Sequence, residues 1–284
     1  MNSIIELTDY YSSNNYAPLK LVITKGKGVK VWDTDGKQYI DCISGFSVAN
    51  QGHCHPTIVK AMTEQASKLS IISRVLYSDN LGKWEEKICH LAKKDKVLPL
   101  NSGTEAVEAA IKIARKWGSE VKGITDGKVE IIAMNNNFHG RTLGSLSLSN
   151  HDAYKAGFHP LLQGTTTVDF GDIEQLTQAI SPNTAALDVL KDEQLVERSE
   201  RLGSFLLKAL LQLKHPSIKE IRGRGLFIGI ELNTDAAPFV NQLIQRGILC
   251  KDTHRTIIRL SPPLVIDEEE INQIVAAFQD VFKN

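Results

Sequence analysis

Apolar and polar residues alternate on both sides of Thr34-Asp35-Gly36 in "VKVWDTDGKQYIDCIS" (Val29–Ser44). Period-two alternation around an Asp-Gly pair predicts a β-hairpin with a tight turn. The period then lengthens. "HPTIVKAMTEQASKL" carries helical spacing with Pro56 in its first turn, and "LGKWEEKICHLAKK" predicts a second helix. "KVLPL" (Lys96–Leu100) reads as a short strand, "NSGT" as a turn, and "EAVEAAIKIARKW" as a helix with Ala106, Ala110, Ile113, Ala114 and Trp117 on one face. "VEIIAM" predicts a strand, "GTTTVDF" a further strand and "DIEQLTQAI" a helix. Strands alternating with helices imply βαβ units and a mainly parallel sheet.

The pattern changes after "SPNTAA". "LDVLKDEQLVERSERLGSFLLKALLQL" (Leu187–Leu213) predicts one long amphipathic helix. It leads to a strand in "GLFIGIEL", a helix in "APFVNQLIQRG", strands in "ILCK" and "TIIRLS", and a last helix in "DEEEINQIVAAFQDVF". This tail reads as a compact α+β domain. The acidic run Asp267–Glu270 falls at a helix start, where carboxylates favour the dipole.

Composition narrows the class. Lys plus Arg and Asp plus Glu each number 33, so the formal net charge is zero. That balance argues against a nucleic-acid binder held by a basic face. Cys42, Cys54, Cys89 and Cys250 lie far apart and form no CxxC pair, so neither a zinc ribbon nor a disulfide framework is indicated. No stretch approaches 18 apolar residues, which argues against a membrane span. The start "MNSIIELTDYY" lacks the features of a secretory signal, and a reduced, cytoplasmic compartment is the default expectation.

Candidate chemistry begins at "LPLNSGTEAVEAA". Ser102 and Glu105 stand in capping-box spacing. A strand delivered through a small-residue turn to a helix N-terminus gathers free N–H groups and the positive dipole end, which is an anion site. Gly103 admits a phosphate close to the backbone, and the Ser102 and Thr104 hydroxyls can donate to it. A well-capped helix that binds nothing carries the same signature. "NNNFHGRT" follows a strand end, where ligands of open α/β sheets sit. Phe138 offers a stacking face and Arg141 a planar fork for a carboxylate; a core phenylalanine and a solvated arginine are the plainer alternative. "HCHP" (His53–Pro56) has two histidines but no partner cluster for a metal. "GRGLFIG" has the wrong spacing for a dinucleotide fingerprint and precedes a strand.

Five stretches, in order, resemble the class III (subgroup II) pyridoxal-phosphate aminotransferases, and within them the ornithine aminotransferases: "NNYAPLKLVITKGKGVKVWDTDGKQYIDCISGFSVANQGHCHP", "LPLNSGTEAVEAAIKIARKW", "NNNFHGRTLGSLS", "RGRGLFIGIEL" and "IIRLSPPLVI". The resemblance implies an α/β fold of the type I pyridoxal-phosphate-transferase kind, with a truncated, mainly parallel large domain and a small α+β domain. It places residues 1–45 with the small domain, 46–186 in the cofactor-binding large domain and 187–284 in the small domain. Pyridoxal 5'-phosphate is the cofactor it implies. Ser102, Gly103 and Thr104 match the phosphate cup. Phe138 matches the aromatic cover of the pyridine ring, with His139 and Gly140 completing that loop. Tyr16, Phe46, Arg141 and Arg259 match substrate-contacting positions; a tyrosine is common where Phe46 stands. The implied reaction moves the δ-amino group of ornithine to 2-oxoglutarate, in a cytoplasmic homodimer serving proline biosynthesis. A related class III enzyme acting on acetylornithine or 4-aminobutyrate is the neighbouring reading, and Tyr16 with "QGHCHP" favours ornithine.

The resemblance also shows a gap. The family places an aspartate beside the pyridine nitrogen in a D-E-x-Q-x-G-like stretch, and its Schiff-base lysine in a G-K-A-x-G-G-like stretch; neither occurs here. Both belong between "SPNTAA" and "LDVLKDEQ", which this chain joins directly. Lys191, Lys208 and Lys251 lie beyond the seam on expected solvated faces, and a Schiff-base lysine needs a pKa lowered by its site. The expectation is an in-frame internal deletion, an impaired or inactive enzyme, and a large domain left with unpaired sheet edges. A non-catalytic remnant that binds phosphate or joins an intact subunit is the reading from another class.

Overall fold

The computed structural model describes residues 3–13, 15–187 and 197–283, and divides the chain into two units, residues 1–71 with 193–284 and residues 72–192. Residues 46–71, placed with the large domain by resemblance, cluster by their contacts with the first unit.

The first unit opens with α1 (Ile4–Tyr11), which the apolar pattern did not signal. Its start is set by a capping box: Ser3 accepts the Glu6 N–H, and Glu6 accepts the Ser3 N–H. β1 (Ile23–Lys27), β2 (Lys30–Asp33) and β3 (Gln38–Asp41) follow, and β2 and β3 form the expected hairpin, with Val31 opposite Tyr39. Gly36 takes a φ of 81°, the left-handed conformation that such a turn needs. A short kinked α2 (Ser44–Ser47) leads to α3 (Pro56–Lys68), which starts at Pro56 as its sequence requires.

The second unit contains α4 (Leu81–Ala92), α5 (Gly103–Glu120), β4 (Glu130–Met134), α6 (Leu143–Ser147), α7 (Asp152–Lys155), β5 (Thr165–Val168), α8 (Ile173–Ala179) and β6 (Thr184–Leu187). Its strands pair in parallel in the order β5-β4-β6, as the βαβ alternation requires. β4 is central and buried on both faces. Ile131 and Ala133 pack towards Ile111 of α5, while Ile132 and Met134 pack with Val168 and Leu176. That split follows from the two-residue period of a strand.

Three expectations fail in this unit. Residues 96–100 form no strand, because a strand needs a ladder partner and none of the described strands pairs with them. The buried face of α5 is Val107, Ile111, Ala114 and Gly118, whereas Ile113 and Trp117 are exposed. The helix carries two apolar stripes, and Gly118 lets one of them approach the sheet: a Cβ there would fall 2.9 Å from Val129 and 3.0 Å from Ala185. Leu187, read as the start of the long helix, ends β6 opposite Ile132.

The chain returns to the first unit with α9 (Glu197–Leu210), then β7 (Ile218–Arg224), β8 (Phe227–Leu232), α10 (Ala237–Gln245), β9 (Ile248–Leu249), β10 (Lys251–Thr253), β11 (Ile257–Leu260) and α11 (Glu268–Val281). β9 adds in parallel to β3, and β7, β8, β11 and β10 form a second, antiparallel sheet. The predicted strand "ILCK" is therefore two strands in two sheets, switching at buried Cys250. β7 went unread because its residues, Ile218–Arg224, show little apolar character. The core gathers Leu202, Leu206 and Leu210 from α9, alternate residues Ile228, Ile230 and Leu232 from β8, and Ile271, Ile274 and Phe278 from α11. Each such buried side chain contributes roughly 1.5–3 kcal/mol of burial free energy. Asp267 caps α11 by accepting the Glu270 N–H at 2.8 Å, so the acidic run is accounted for by helix initiation.

Candidate cofactor and substrate site

The first turn of α5 is built by its cap. Ser102 Oγ accepts the Glu105 N–H at 3.2 Å, and the Glu105 carboxylate accepts the Asn101 and Ser102 N–H groups at 2.6 and 3.2 Å. The amides of Gly103 and Thr104 come next, and a helix offers them no internal acceptor. Gly103 is open: a Cβ there would meet nothing within 4 Å. Two backbone donors and the positive helix end thus stand beside the open face of Gly103, an arrangement that suits an anion.

The loop after β4 closes onto this turn. Asn137 pins its base by donating through Nδ2 to the Met134 and Leu148 carbonyls, both at 2.6 Å. Gly140 has a φ of 122°, and a Cβ on it would fall 2.2 Å from Thr104 Oγ1. Thr142 Oγ1 donates to the Glu108 carboxylate, and Gly144 lies against the same carboxylate. The loop therefore sits on the first two turns of α5, and the structure brings Ser102, Gly103 and Thr104 together with residues 138–142. Phe138 is 71% exposed and presents its ring to solvent, with the Arg141 guanidinium 5.6 Å from its centroid. Arg141 lies closer to Tyr154, 3.4 Å above that ring, and His151 stacks on Tyr154 at 4.1 Å. Tyr154 escaped the sequence reading: it lies on the short α7, where no periodic signal marks it.

The first unit holds a second group. Arg259, in β11 opposite Gly229, sets its guanidinium 4.7 Å from the Phe227 ring and 5.3 Å from Phe46. Its Nε is buried without a hydrogen-bond partner, and burial lowers its pKa from the usual arginine value. Phe46 has a φ of 57° in the kink of α2. A bulky residue there marks a functional constraint or stored strain. Phe227 was missed because "GRGLFIG" was weighed as a nucleotide motif; it is a β7–β8 hairpin. Tyr16 is exposed and has no hydrogen bond or ring contact among the described residues.

The other candidates have local explanations. His53 Nε2 pairs with Asp41 Oδ2 at 2.7 Å, and His53 bridges to Gly28. Among the described residues, no group of three or more His, Cys, Asp or Glu is suited to a metal. Lys208 is exposed, Lys251 is half-buried and pairs with Asp252 at 2.6 Å, and Lys191 lies outside the described residues.

Comparison with known proteins settles the lineage. The sequence model of the family described as aminotransferase class-III matches residues 11–183 and 177–282. The chain belongs to the class III aminotransferases. This family is pyridoxal-phosphate-dependent, as the resemblance implied. The chain is 71% identical over 394 positions to ornithine aminotransferase 1 of Staphylococcus aureus strain COL, with all of both chains covered. It superposes on the ornithine aminotransferase of Toxoplasma gondii ME49 with a TM-score of 0.92 at 27% identity, covering 98% of this chain and 94% of that one. It also matches acetylornithine aminotransferase of Elizabethkingia anophelis, with a TM-score of 0.84, 31% identity and 98% of each chain covered. These likenesses bear out the type I fold and the likeness to ornithine aminotransferases.

Proposed function

We propose that this chain is an ornithine aminotransferase by descent that has lost an internal block, keeps the phosphate end of the cofactor site, and is catalytically impaired. One observation carries the reading. The S. aureus alignment runs over 394 positions while this chain has 284 residues, so 394 − 284 = 110 positions have no counterpart here. Both chains are covered to their ends, so the unmatched block is internal, and the family match breaks at residues 177–183. Seventy-one per cent of 394 is about 280 identities in a chain of 284 residues, so the flanks are nearly unchanged. That pattern supports loss of one block over gradual divergence.

The residues present fit one end of pyridoxal phosphate. The open space over Gly103, the Gly103 and Thr104 amides and the Ser102 and Thr104 hydroxyls suit the phosphate, with Phe138 and His139 on the ring side. Bound there, the cofactor supplies an electron sink. By resemblance, Arg141 in the second unit and Tyr16, Phe46 and Arg259 in the first match substrate-contacting positions, and each arginine offers a fork suited to a carboxylate such as those of ornithine and 2-oxoglutarate. The other end does not fit. Neither the lysine stretch nor the aspartate stretch of the family is present, so the groups that the family uses to move the substrate proton and to hold the ring nitrogen charged have no counterpart in this sequence. The ancestral role in ornithine-to-proline metabolism, the cytoplasmic homodimer and the domain division at 45/46 and 186/187 belong to the same proposal. The alternative substrate acetylornithine is less well supported, given the 71% relative.

The test uses the purified chain with pyridoxal phosphate, borohydride reduction, peptide mapping, and a transamination assay with ornithine and 2-oxoglutarate. Reversible binding, no reduced lysine adduct at a single site and no turnover are expected. Turnover together with one stoichiometrically labelled lysine would overturn the proposal.

A further inference from the structure

Ser44, Gly45, Phe46 and Ser47, the whole of α2, have φ values of 44°, 61°, 57° and 71°, so α2 is one left-handed turn. Only the glycine enters that region without steric cost, because a Cβ there crowds the following carbonyl. Three side chains held in it together persist only where the surroundings impose them. The Phe46 ring is 49% exposed, so burial alone does not explain a phenylalanine at this position.

The restraint is a buried carboxylate. Asp41, 5% exposed, accepts the Ile43 and Ser44 N–H groups through Oδ1, each at 2.9 Å, and accepts from His53 Nε2 through Oδ2 at 2.7 Å. His53 is itself fixed: its N–H and C=O bond to Gly28 at 2.7 and 2.9 Å, and its side chain occupies the space that a Cβ on Gly26 would need. Fully buried Ser44 donates through Oγ to the Ser261 carbonyl at 2.5 Å, two residues beyond Arg259 in the chain. The turn is thus tied to the segment that carries Arg259, and it sets the Phe46 ring 5.3 Å from that guanidinium.

We propose that Asp41 and His53 are positioning residues, which hold the left-handed turn so that Phe46 faces Arg259 and shapes the carboxylate site there. The inference rests on the reading of Arg259 as a substrate arginine. It gives a role to the HCHP stretch, which the cofactor chemistry leaves unused. Both residues act through the turn and not on the ligand.

The test uses the full chain and its His53→Ala, His53→Gln and Ser47→Gly variants. Arg259 Nε is buried without a hydrogen-bond partner among the described residues, so its N–H is shielded from solvent, and its NMR resonance, displaced by the Phe46 and Phe227 rings, reports their positions without ligand. Calorimetric titration with 2-oxoglutarate reads the site itself. His53→Ala should move the Arg259 resonance and weaken 2-oxoglutarate binding about threefold or more. The amide of His53→Gln can donate to the same carboxylate oxygen, so this variant should restore both to near the unaltered values. Ser47→Gly removes strain and leaves Phe46 in place, so it should raise the urea midpoint without moving the resonance. Three results overturn the proposal: an Arg259 resonance unmoved in His53→Ala, a displacement that His53→Gln fails to reverse, or a lowered midpoint in Ser47→Gly. The last of these stands whether or not His53→Ala folds. An unaltered chain that does not bind 2-oxoglutarate would instead strike the reading of Arg259 as a substrate arginine, and the resonance still decides whether His53 positions Phe46.

Discussion

Gly140 lies so close to Thr104 that a Cβ built on it would fall 2.2 Å from the threonine Oγ1. This contact seats the loop of residues 138–142 on the first turn of α5. Gly140→Ala adds the clash and also strains a backbone at φ 122°, a conformation that L side chains rarely adopt. The expected cost is about 1–3 kcal/mol of stability, with weaker binding of pyridoxal phosphate. Thr104→Ala in the same chain removes the clash but not the strain, so it recovers part of the stability. Denaturant titration and fluorescence titration of the cofactor check both, and an unperturbed Gly140→Ala would show that the loop and cradle are independent.

Arg259 makes a comparable point in the first unit. Its guanidinium lies over Phe227 and Phe46, and desolvation makes an incoming carboxylate the natural counter-charge. Phe227→Ala should weaken 2-oxoglutarate binding by about 0.5–2 kcal/mol. Arg259→Lys should lose more, since an ammonium offers neither the fork nor the stacking plane. Calorimetric titration with 2-oxoglutarate reads both, and equal affinities in all three proteins would remove Arg259 from the substrate side.

These sites were only partly legible. Ser102, Gly103 and Thr104 were readable because a capping box is a local pattern, and local hydrogen bonds formed it. Phe138 and Arg141 followed from their place after a strand. Tyr154 and Phe227 were not readable, because a ring that stacks on an arginine is chosen by tertiary position and leaves no periodic trace. The strand expected at residues 96–100 failed for a related reason: apolar residues favour a ladder, but only a neighbouring strand can complete one. The stripe assigned to the buried side of α5 failed because the helix is apolar on two sides, and packing onto β4 and β6 selected the one with Gly118.

Gly203, in the middle of α9, tests packing against propensity. Alanine in a helix interior is favoured over glycine by about 1 kcal/mol. Here a Cβ would fall 2.0 Å from the Gly225 carbonyl carbon and oxygen, which are backbone atoms of the β7–β8 turn and cannot swing aside. Steric conflict should therefore win, and Gly203→Ala should cost roughly 3 kcal/mol or more. Thermal unfolding gives the answer: a raised melting temperature would mean that α9 and the hairpin are not in close contact.

The hairpin carries its own pH response. Tyr39 Oη donates to Asp33 Oδ2 at 2.7 Å, and Asp33 Oδ1 accepts the Asp35 and Lys37 N–H groups at 3.0 and 2.9 Å. Burial, then the bond to Asp33, pushes the Tyr39 phenol up to about 12, against about 10 when unfolded. Between those values the unfolded chain loses this proton while the folded chain keeps it. The contribution of Tyr39 is thus complete below pH 10 and falls by about 1.4 kcal/mol per unit as pH rises towards 12. Asp33 behaves in the opposite sense. The Tyr39 bond holds its carboxyl below the usual carboxylate range, so its contribution is complete at neutral pH and is lost as pH falls through that depressed value. Tyr39→Phe should cost about 1–2 kcal/mol at pH 7, because Asp33 loses a partner, and should flatten the fall between pH 10 and 12. Urea midpoints measured across that range decide the matter, and parallel curves for the two proteins would place the alkaline response elsewhere.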